Sequence, residues 1–254
     1  MNEAAITETA LDLLSVKIFA DGAERESMLQ LARNPIIQGF TTNPTLMRKA
    51  GVRDYKRFAL DIVEAIPDRP ISFEVFADDL PEMHAQAQEI ASWGPNVNVK
   101  IPVTNTLGES CVPVIERLSE SGVMVNVTAV FTLNQVRDVA AALAPDVPGI
   151  VSVFAGRIAD TGVDPMGHMR AAADIMKTRP MAELLWASPR ELLNIFHADS
   201  TGCHIITVTQ ELLNKLPGVG KDLREYSLET VKMFYDDAQT AGYTIETELS
   251  LTNA

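Results

Sequence analysis

The chain has 254 residues, 46% hydrophobic and 22% charged, a balance that suits one well-packed domain. Its formal charge of −13 argues against nucleic acid and anionic membranes as partners, so an anionic substrate would have to be held by a few local arginines. Two cysteines, Cys111 and Cys203, lie far apart with no metal or redox spacing, and fit a reduced cytosolic compartment.

The first residues, MNEAAITETALDLLS, carry acids and no basic region, so neither a signal nor a transit peptide is expected. No apolar run approaches the length of a membrane span. An N-terminal helix is predicted over 4–14 and a first strand over 17–20, with Asp21 at its end. A helix over 25–33 and a strand over 36–41 lead into TTNP. A helix over 54–66 has Phe58, Ile62 and Ala65 on one face. The third strand, 71–76, contains Glu74, and the next helix starts at Pro81. The fourth strand is VNVKIPVT, with Lys100 placed just before Pro102 stops further ladder pairing. A helix over 109–121 is predicted to be regular only beyond Pro113. A strand over 123–127 precedes a helix that Thr132 would cap. The sixth strand runs over 149–154, and Asp164 with Pro165 marks another helix start. Strands over 183–187 and 204–208 follow, with helices from Pro189 and Thr209 and a long amphipathic helix over 221–242.

Eight strand–helix units in a single domain over 1–254 predict a (β/α)8 TIM barrel, with an N-terminal helix and an additional C-terminal helix. A doubly wound open sheet is the alternative, but it would need a glycine-rich phosphate loop after the first strand, and ADGAER has one glycine. In a barrel, polar residues at strand C-termini belong to the active-site face. Those residues are Asp21, Thr42, Asn43, Glu74, Lys100, Asn126, Thr128, Ser152, Arg157, Ser188 and Arg190. Each alone has a plainer reading: a helix cap for Asp21, a turn for TTNP, a snorkelling side chain for Lys100. Glu74 is harder to explain that way, since it sits between aromatic residues in a strand covered on both faces. Together they describe carbonyl chemistry. A lysine amine kept dry and neutral attacks a ketone to give a Schiff base, carboxylates and a hydroxyl move protons, and two arginines suit bidentate recognition of a phosphate. The four histidines form no metal spacing, and no metal or cofactor is expected.

The phrases TTNPTLM, VNVKIPVT, NVTAVFTLNQ, SVFAGRI and ASPR, together with Asp21, occur in order, one per strand end. In this the chain resembles the transaldolase family, over about 17–216, and the short members that include fructose-6-phosphate aldolases. The resemblance implies an imine-forming enzyme with Lys100 as the Schiff-base lysine and Asp21 acting on the hydroxyl proton at carbon–carbon cleavage. Glu74 and Thr128 would hold the water of imine formation, Asn43 and Asn126 would bind substrate hydroxyls, and Arg157 and Arg190, helped by Ser152 and Ser188, the phosphate. Aldolase members typically have glutamine in place of Glu74, tyrosine in place of Phe131, and no asparagine at the position of Asn126. The tyrosine is associated with proton transfer that frees the ketose, so Phe131 favours transfer over release. Gly22, Trp186 and Pro189 depart from the usual pattern. The resemblance also implies a homo-oligomer assembled through the C-terminal helix, acting on sugar phosphates. The alternatives are an aldolase releasing free dihydroxyacetone, a transaldolase for a specialised sugar, and a non-catalytic barrel that binds sugar phosphates.

Overall fold

The structure, a computed structural model that describes residue 11 and residues 13–247, contains a closed barrel of parallel strands in sequence order. The strands are β1 (Lys17–Asp21), β2 (Ile37–Thr41), β3 (Ile71–Glu74), β4 (Val97–Pro102), β5 (Val125–Val130), β6 (Gly149–Val153), β7 (Ala182–Trp186) and β8 (Ile205–Thr209). The helices are α1 (Arg25–Ala32), α2 (Pro44–Lys49), α3 (Tyr55–Ala65), α4 (Leu80–Ala91), α5 (Val112–Glu120), α6 (Leu133–Ala142), α7 (Ala155–Ala159), α8 (Pro165–Met176), α9 (Leu193–Ser200), α10 (Gln210–Leu213) and α11 (Leu223–Ala241). The barrel is the predicted one. An open sheet is ruled out because β1 pairs with β8 as well as with β2.

Local chemistry starts the helices where expected. Thr132 and Gln135 form a reciprocal capping box on α6, and Asp164 accepts from the Met166 N–H with Pro165 in the first turn of α8. The helix predicted over 109–121 begins only at Val112, so that Pro113 falls in its first turn, where a missing N–H costs nothing. The helix predicted from Pro189 begins at Leu193 instead. There the Asn194 side chain accepts from the N–H groups of Arg190 and Glu191 at 2.8 and 3.2 Å and holds the chain in a turn. Helices α2 and α7 have no counterpart among the predicted elements. The N-terminal helix predicted over 4–14 lies largely outside the described residues.

The described residues divide into two compact units: the barrel, Leu14–Leu216, and a second unit that includes residues 217–247. In the latter, α11 is capped by Asp222 and ends at Gly242, whose φ of 68° suits a residue without Cβ. Leu223, Tyr226, Leu228, Val231, Met233, Phe234 and Tyr235 on this helix are 50–80% exposed. Lys221 pairs with Glu229, and its ammonium lies 4.6 Å from the Tyr226 ring centroid.

Within the barrel unit, alternation along each strand sorts the core into two layers. Ile18, Phe40, Phe73, Val99, Ile101, Val127, Val151, Leu184, Trp186 and Val208 face the surrounding helices and belong to one buried cluster. Burying each such side chain is worth about 1.5–3 kcal/mol. Phe19, Ile150, Leu185, Ala187 and Ile205 form a separate cluster that fills the middle of the bore. A Cβ on Gly39 would come within 2.5 Å of the Phe19 ring, so this glycine makes room for the plug. At the N-terminal end, Lys17 and Glu183 pair at 2.6 Å. At the other end the inward positions turn polar.

Candidate active site

The row that defines this polar end is set by strand register. Glu74 on β3 pairs with Lys100 on β4, which pairs with Asn126 on β5. Residues in register on adjacent strands point to the same face, so a carboxylate, an ammonium and an amide are lined up on one wall of a cavity of about 600 Å³. The Lys100 residue is 8% exposed. Its Nζ donates to the Thr42 carbonyl at 2.7 Å and lies 3.4 Å from a Glu74 carboxylate oxygen. Asn126 is fully buried and fixed from both sides: its Nδ2 donates to Ser72 Oγ at 3.0 Å, and its Oδ1 accepts from Ser152 Oγ at 2.6 Å.

Asp21 closes the circle from β1. Its Oδ1 accepts from Thr41 Oγ1 at 2.9 Å and its Oδ2 from Asn43 Nδ2 at 3.3 Å. Thr41 in turn contacts the Thr207 hydroxyl. Asn43 is itself held, because its Oδ1 caps α2 through the Leu46 N–H at 2.9 Å. Burial pushes the Asp21 carboxyl above the ordinary carboxylate range, against the opposing pull of Lys100 and the donors from Thr41 and Asn43. The sign of the resulting linkage is opposite to the common one. A raised folded-state pKa contributes stability that is present below the unfolded value of about 3.9 and lost as pH rises through the folded value. The Tm of Asp21→Asn relative to wild type is therefore expected to climb as pH increases from about 4 to about 8. Thermal denaturation of both proteins across that range checks it, and a flat or falling difference would contradict the assignment.

The anionic end of the cavity is built by the segments after β6 and β7. Arg157 on α7 lies with its guanidinium carbon 5.7 Å from the Phe154 ring centroid, and no carboxylate lies within ion-pair distance of it among the described residues. Arg190 is differently placed. Its Nε and Nη2 donate to the two carboxylate oxygens of Asp160 at 2.9 and 2.5 Å, and its Nη1 donates to the Ser188 carbonyl at 3.0 Å. That pairing holds Asp160 below the usual carboxylate range. Ser188 has a φ of 63°, a left-handed conformation that costs a non-glycine residue about 1–3 kcal/mol. It is fixed there by close packing: a Cβ on Gly156 would fall 1.6 Å from the Ser188 carbonyl oxygen.

Of the residues singled out in the sequence, Asp21, Asn43, Glu74, Lys100, Asn126, Thr128, Ser152, Arg157, Ser188 and Arg190 all line this cavity. Thr42 and Phe131 do not. The Thr42 hydroxyl is buried and donates to the Ser72 carbonyl at 2.9 Å, so this residue meets Lys100 through its main chain. Phe131 lies one residue past β5 and tilts against Phe154 with ring centroids 5.7 Å apart. Sequence reasoning missed Thr41 and Thr207, both lining the cavity. The first threonine of TTNP and the inward parity of Thr207 in IITVT were the available signals. No cluster of three or more His, Cys, Asp or Glu side chains that could hold a metal occurs among the described residues. No helix among them is long and apolar enough to cross a membrane.

The fold and site define a (β/α)8 barrel with a buried lysine–carboxylate pair at the C-terminal mouth and an arginine-rich rim. The family described as Transaldolase/Fructose-6-phosphate aldolase matches residues 18–247. A "Probable transaldolase" of Dehalococcoides mccartyi is 37% identical over 202 residues, covering 79% of this chain and 90% of that protein. Another "Probable transaldolase", from Herpetosiphon aurantiacus, is 33% identical over 216 residues, covering 85% of this chain and 92% of that protein. The chain belongs to the transaldolase/fructose-6-phosphate aldolase family and is an enzyme of that family. Among solved structures, KGPDC from Streptococcus mutans superposes with a TM-score of 0.56 at 9% identity, over 81% of this chain and 93% of that one, a likeness of fold alone.

Proposed function

We propose that the enzyme is a transaldolase, transferring a dihydroxyacetone unit from a ketose phosphate such as sedoheptulose 7-phosphate or fructose 6-phosphate to an aldose phosphate through a Schiff base on Lys100. The observation that carries the reading is the buried Lys100 amine, bonded to the Thr42 carbonyl and 3.4 Å from Glu74, facing a cavity with an arginine-bearing rim. The deprotonated amine adds to the donor ketone, and the carbinolamine loses water that Glu74 and Thr128 hold. Asp21 then takes the proton of the hydroxyl next to the scissile carbon–carbon bond, which breaks to release an aldose and leave an enamine on the lysine. The acceptor aldehyde enters, the enamine carbon bonds to it, Asp21 returns the proton, and hydrolysis frees the new ketose. Asn43 and Asn126 bind substrate hydroxyls, and Arg157, Ser152 and Ser188 the phosphate. Arg190 takes part only by sharing its donors with Asp160.

Phe131 stands outside the cavity and so does not bear on the choice between transfer and release. The ring that does line it is Phe154, and a phenyl ring with no proton to give to the enamine supports transfer over release. The test compares fructose 6-phosphate alone with fructose 6-phosphate plus erythrose 4-phosphate. Product formed only with acceptor present is the expected result. Rapid release of free dihydroxyacetone without acceptor would make the enzyme an aldolase, and binding without either reaction would leave a scaffold. A charge-assisted hydrogen bond is worth about 1.5–3 kcal/mol, so Arg157→Ala is expected to raise KM for phosphorylated donors about 10–100-fold and to spare unphosphorylated ones. Equal losses with both donors would remove Arg157 from the phosphate site. We also assign to α11, with its exposed apolar residues, the assembly of a cytoplasmic homo-oligomer. Sedimentation as a 27.7 kDa species at all concentrations would refute that assignment.

A further inference from the structure

The β2–β3 ladder stops early, and what replaces it is a side chain. Phe40 pairs with Ile71 and Thr41 with Ser72, and the Thr42 N–H donates to the Ser72 carbonyl at 3.2 Å. In a parallel ladder the next two bonds would run from the Glu74 N–H to the Thr42 carbonyl and from the N–H of residue 44 to the Glu74 carbonyl. Neither forms. Residue 44 is proline, which has no N–H and opens α2. The Thr42 carbonyl is taken by Lys100 Nζ.

Both orphaned groups of Glu74 are met by one phenol. The Tyr55 hydroxyl donates to the Glu74 carbonyl at 2.9 Å and accepts from the Glu74 N–H at 2.7 Å. Tyr55 is the first residue of α3, behind the Asp54 cap. Its ring is gripped by Phe76, Trp93 and Phe73, with centroids 4.6, 5.5 and 6.1 Å away. We propose that Tyr55 is a positioning residue for the Glu74–Lys100 pair. By standing in for the missing β2 rungs, its hydroxyl fixes the main chain that carries the Glu74 carboxylate and leaves the Thr42 carbonyl to the lysine. Without it, the Glu74 N–H loses its partner, and the nearest ladder acceptor is the carbonyl that Lys100 uses. This role rests on the imine chemistry proposed above.

The experiment compares wild type, Tyr55→Phe and Trp93→Phe. Phenylalanine keeps the ring of Tyr55 and removes only the hydroxyl. Trp93→Phe loosens the same aromatic cluster with the hydroxyl retained. Each protein is mixed with fructose 6-phosphate and borohydride, the modified peptide is mapped, and kcat, KM and Tm are measured. Loss of a hydrogen-bond partner that orients a metal-ligating side chain typically costs about 10–100-fold, and the same scale is expected for a group that orients a reacting carboxylate. Tyr55→Phe is expected to lose that much in kcat and in the rate of trapping at Lys100, with KM for the phosphorylated donor changed by no more than about threefold. Trp93→Phe is expected to lower Tm while keeping kcat within about twofold of wild type. If Tyr55→Phe keeps kcat within about twofold, or if both variants lose kcat in proportion to Tm, the role is structural and the proposal falls. Failure of the wild type to trap at Lys100 would instead overturn the imine reading, and this role with it. A trapped wild type beside an unaffected Tyr55→Phe would overturn the Tyr55 role alone.

Discussion

Lys100→Ala is expected to abolish borohydride trapping with every ketose and to lower kcat/KM by at least about 10³-fold, in line with the removal of covalent nucleophiles elsewhere. The loss belongs to the reaction and not to the fold. The barrel's apolar layers lie on other residues, and the variant removes a buried charge whose partner, Glu74, retains some access to the cavity. Some fall in Tm is expected alongside, because removing one member of a buried ion pair leaves the other uncompensated and takes the donor from the Thr42 carbonyl, so activity is compared on variant protein that has been shown to be folded. The Asn126–Ser152 bond and the phosphate rim do not involve the lysine, so the variant should still bind a phosphorylated ketose without turning it over. Calorimetric binding together with the trapping experiment checks both halves. Residual trapping at Lys100→Ala, mapped to another lysine, would sink the assignment.

Gly156→Ala is expected to have the largest structural effect of any glycine-to-alanine change among the described residues of the barrel. The new Cβ would need to occupy a point 1.6 Å from the Ser188 carbonyl oxygen, and the obstacle is backbone, which cannot rotate aside. Overpacking of a tight site typically costs about 1–3 kcal/mol. Here relief must push the start of α7 away from the turn after β7. Arg157 sits on one side of that contact, and Ser188 and Arg190 on the other. We expect a loss of about 3 kcal/mol in stability and a rise in KM for phosphorylated donors at least as large as that of Arg157→Ala. Denaturant unfolding and steady-state kinetics read the two effects. Wild-type values in both would mean that the two segments can separate freely.

How much of this was legible in the sequence varies by residue, for physical reasons. Lys100, Asn126, Ser152 and Glu74 were legible because strand alternation is strict: each is a polar residue on the inward parity of an otherwise β-branched or aromatic strand. The same parity sends the Thr42 side chain outward after inward Thr41, so its contribution through the main chain was concealed by its residue type. Phe131 lies beyond the last residue of β5, where alternation no longer dictates direction. The bidentate capture of Arg190 by Asp160 joins residues 30 positions apart and depends on where α7 ends. Nothing in the local pattern of either announces it. Tyr55 was hidden for another reason. A tyrosine at the start of an amphipathic helix looks like packing, and only the early end of the β2–β3 ladder reveals what its hydroxyl is for.

The plug of Phe19, Ile150, Leu185 and Ile205 makes the barrel a well rather than a tunnel. Whatever reaches Lys100 must arrive and depart over the same lip, past Arg157 and the turn that carries Arg190. Alterations at the lip would be felt as a change in which molecules are admitted, whereas alterations in the plug, whose Leu185 also lines the cavity, would be felt by the fold and the floor of the site together.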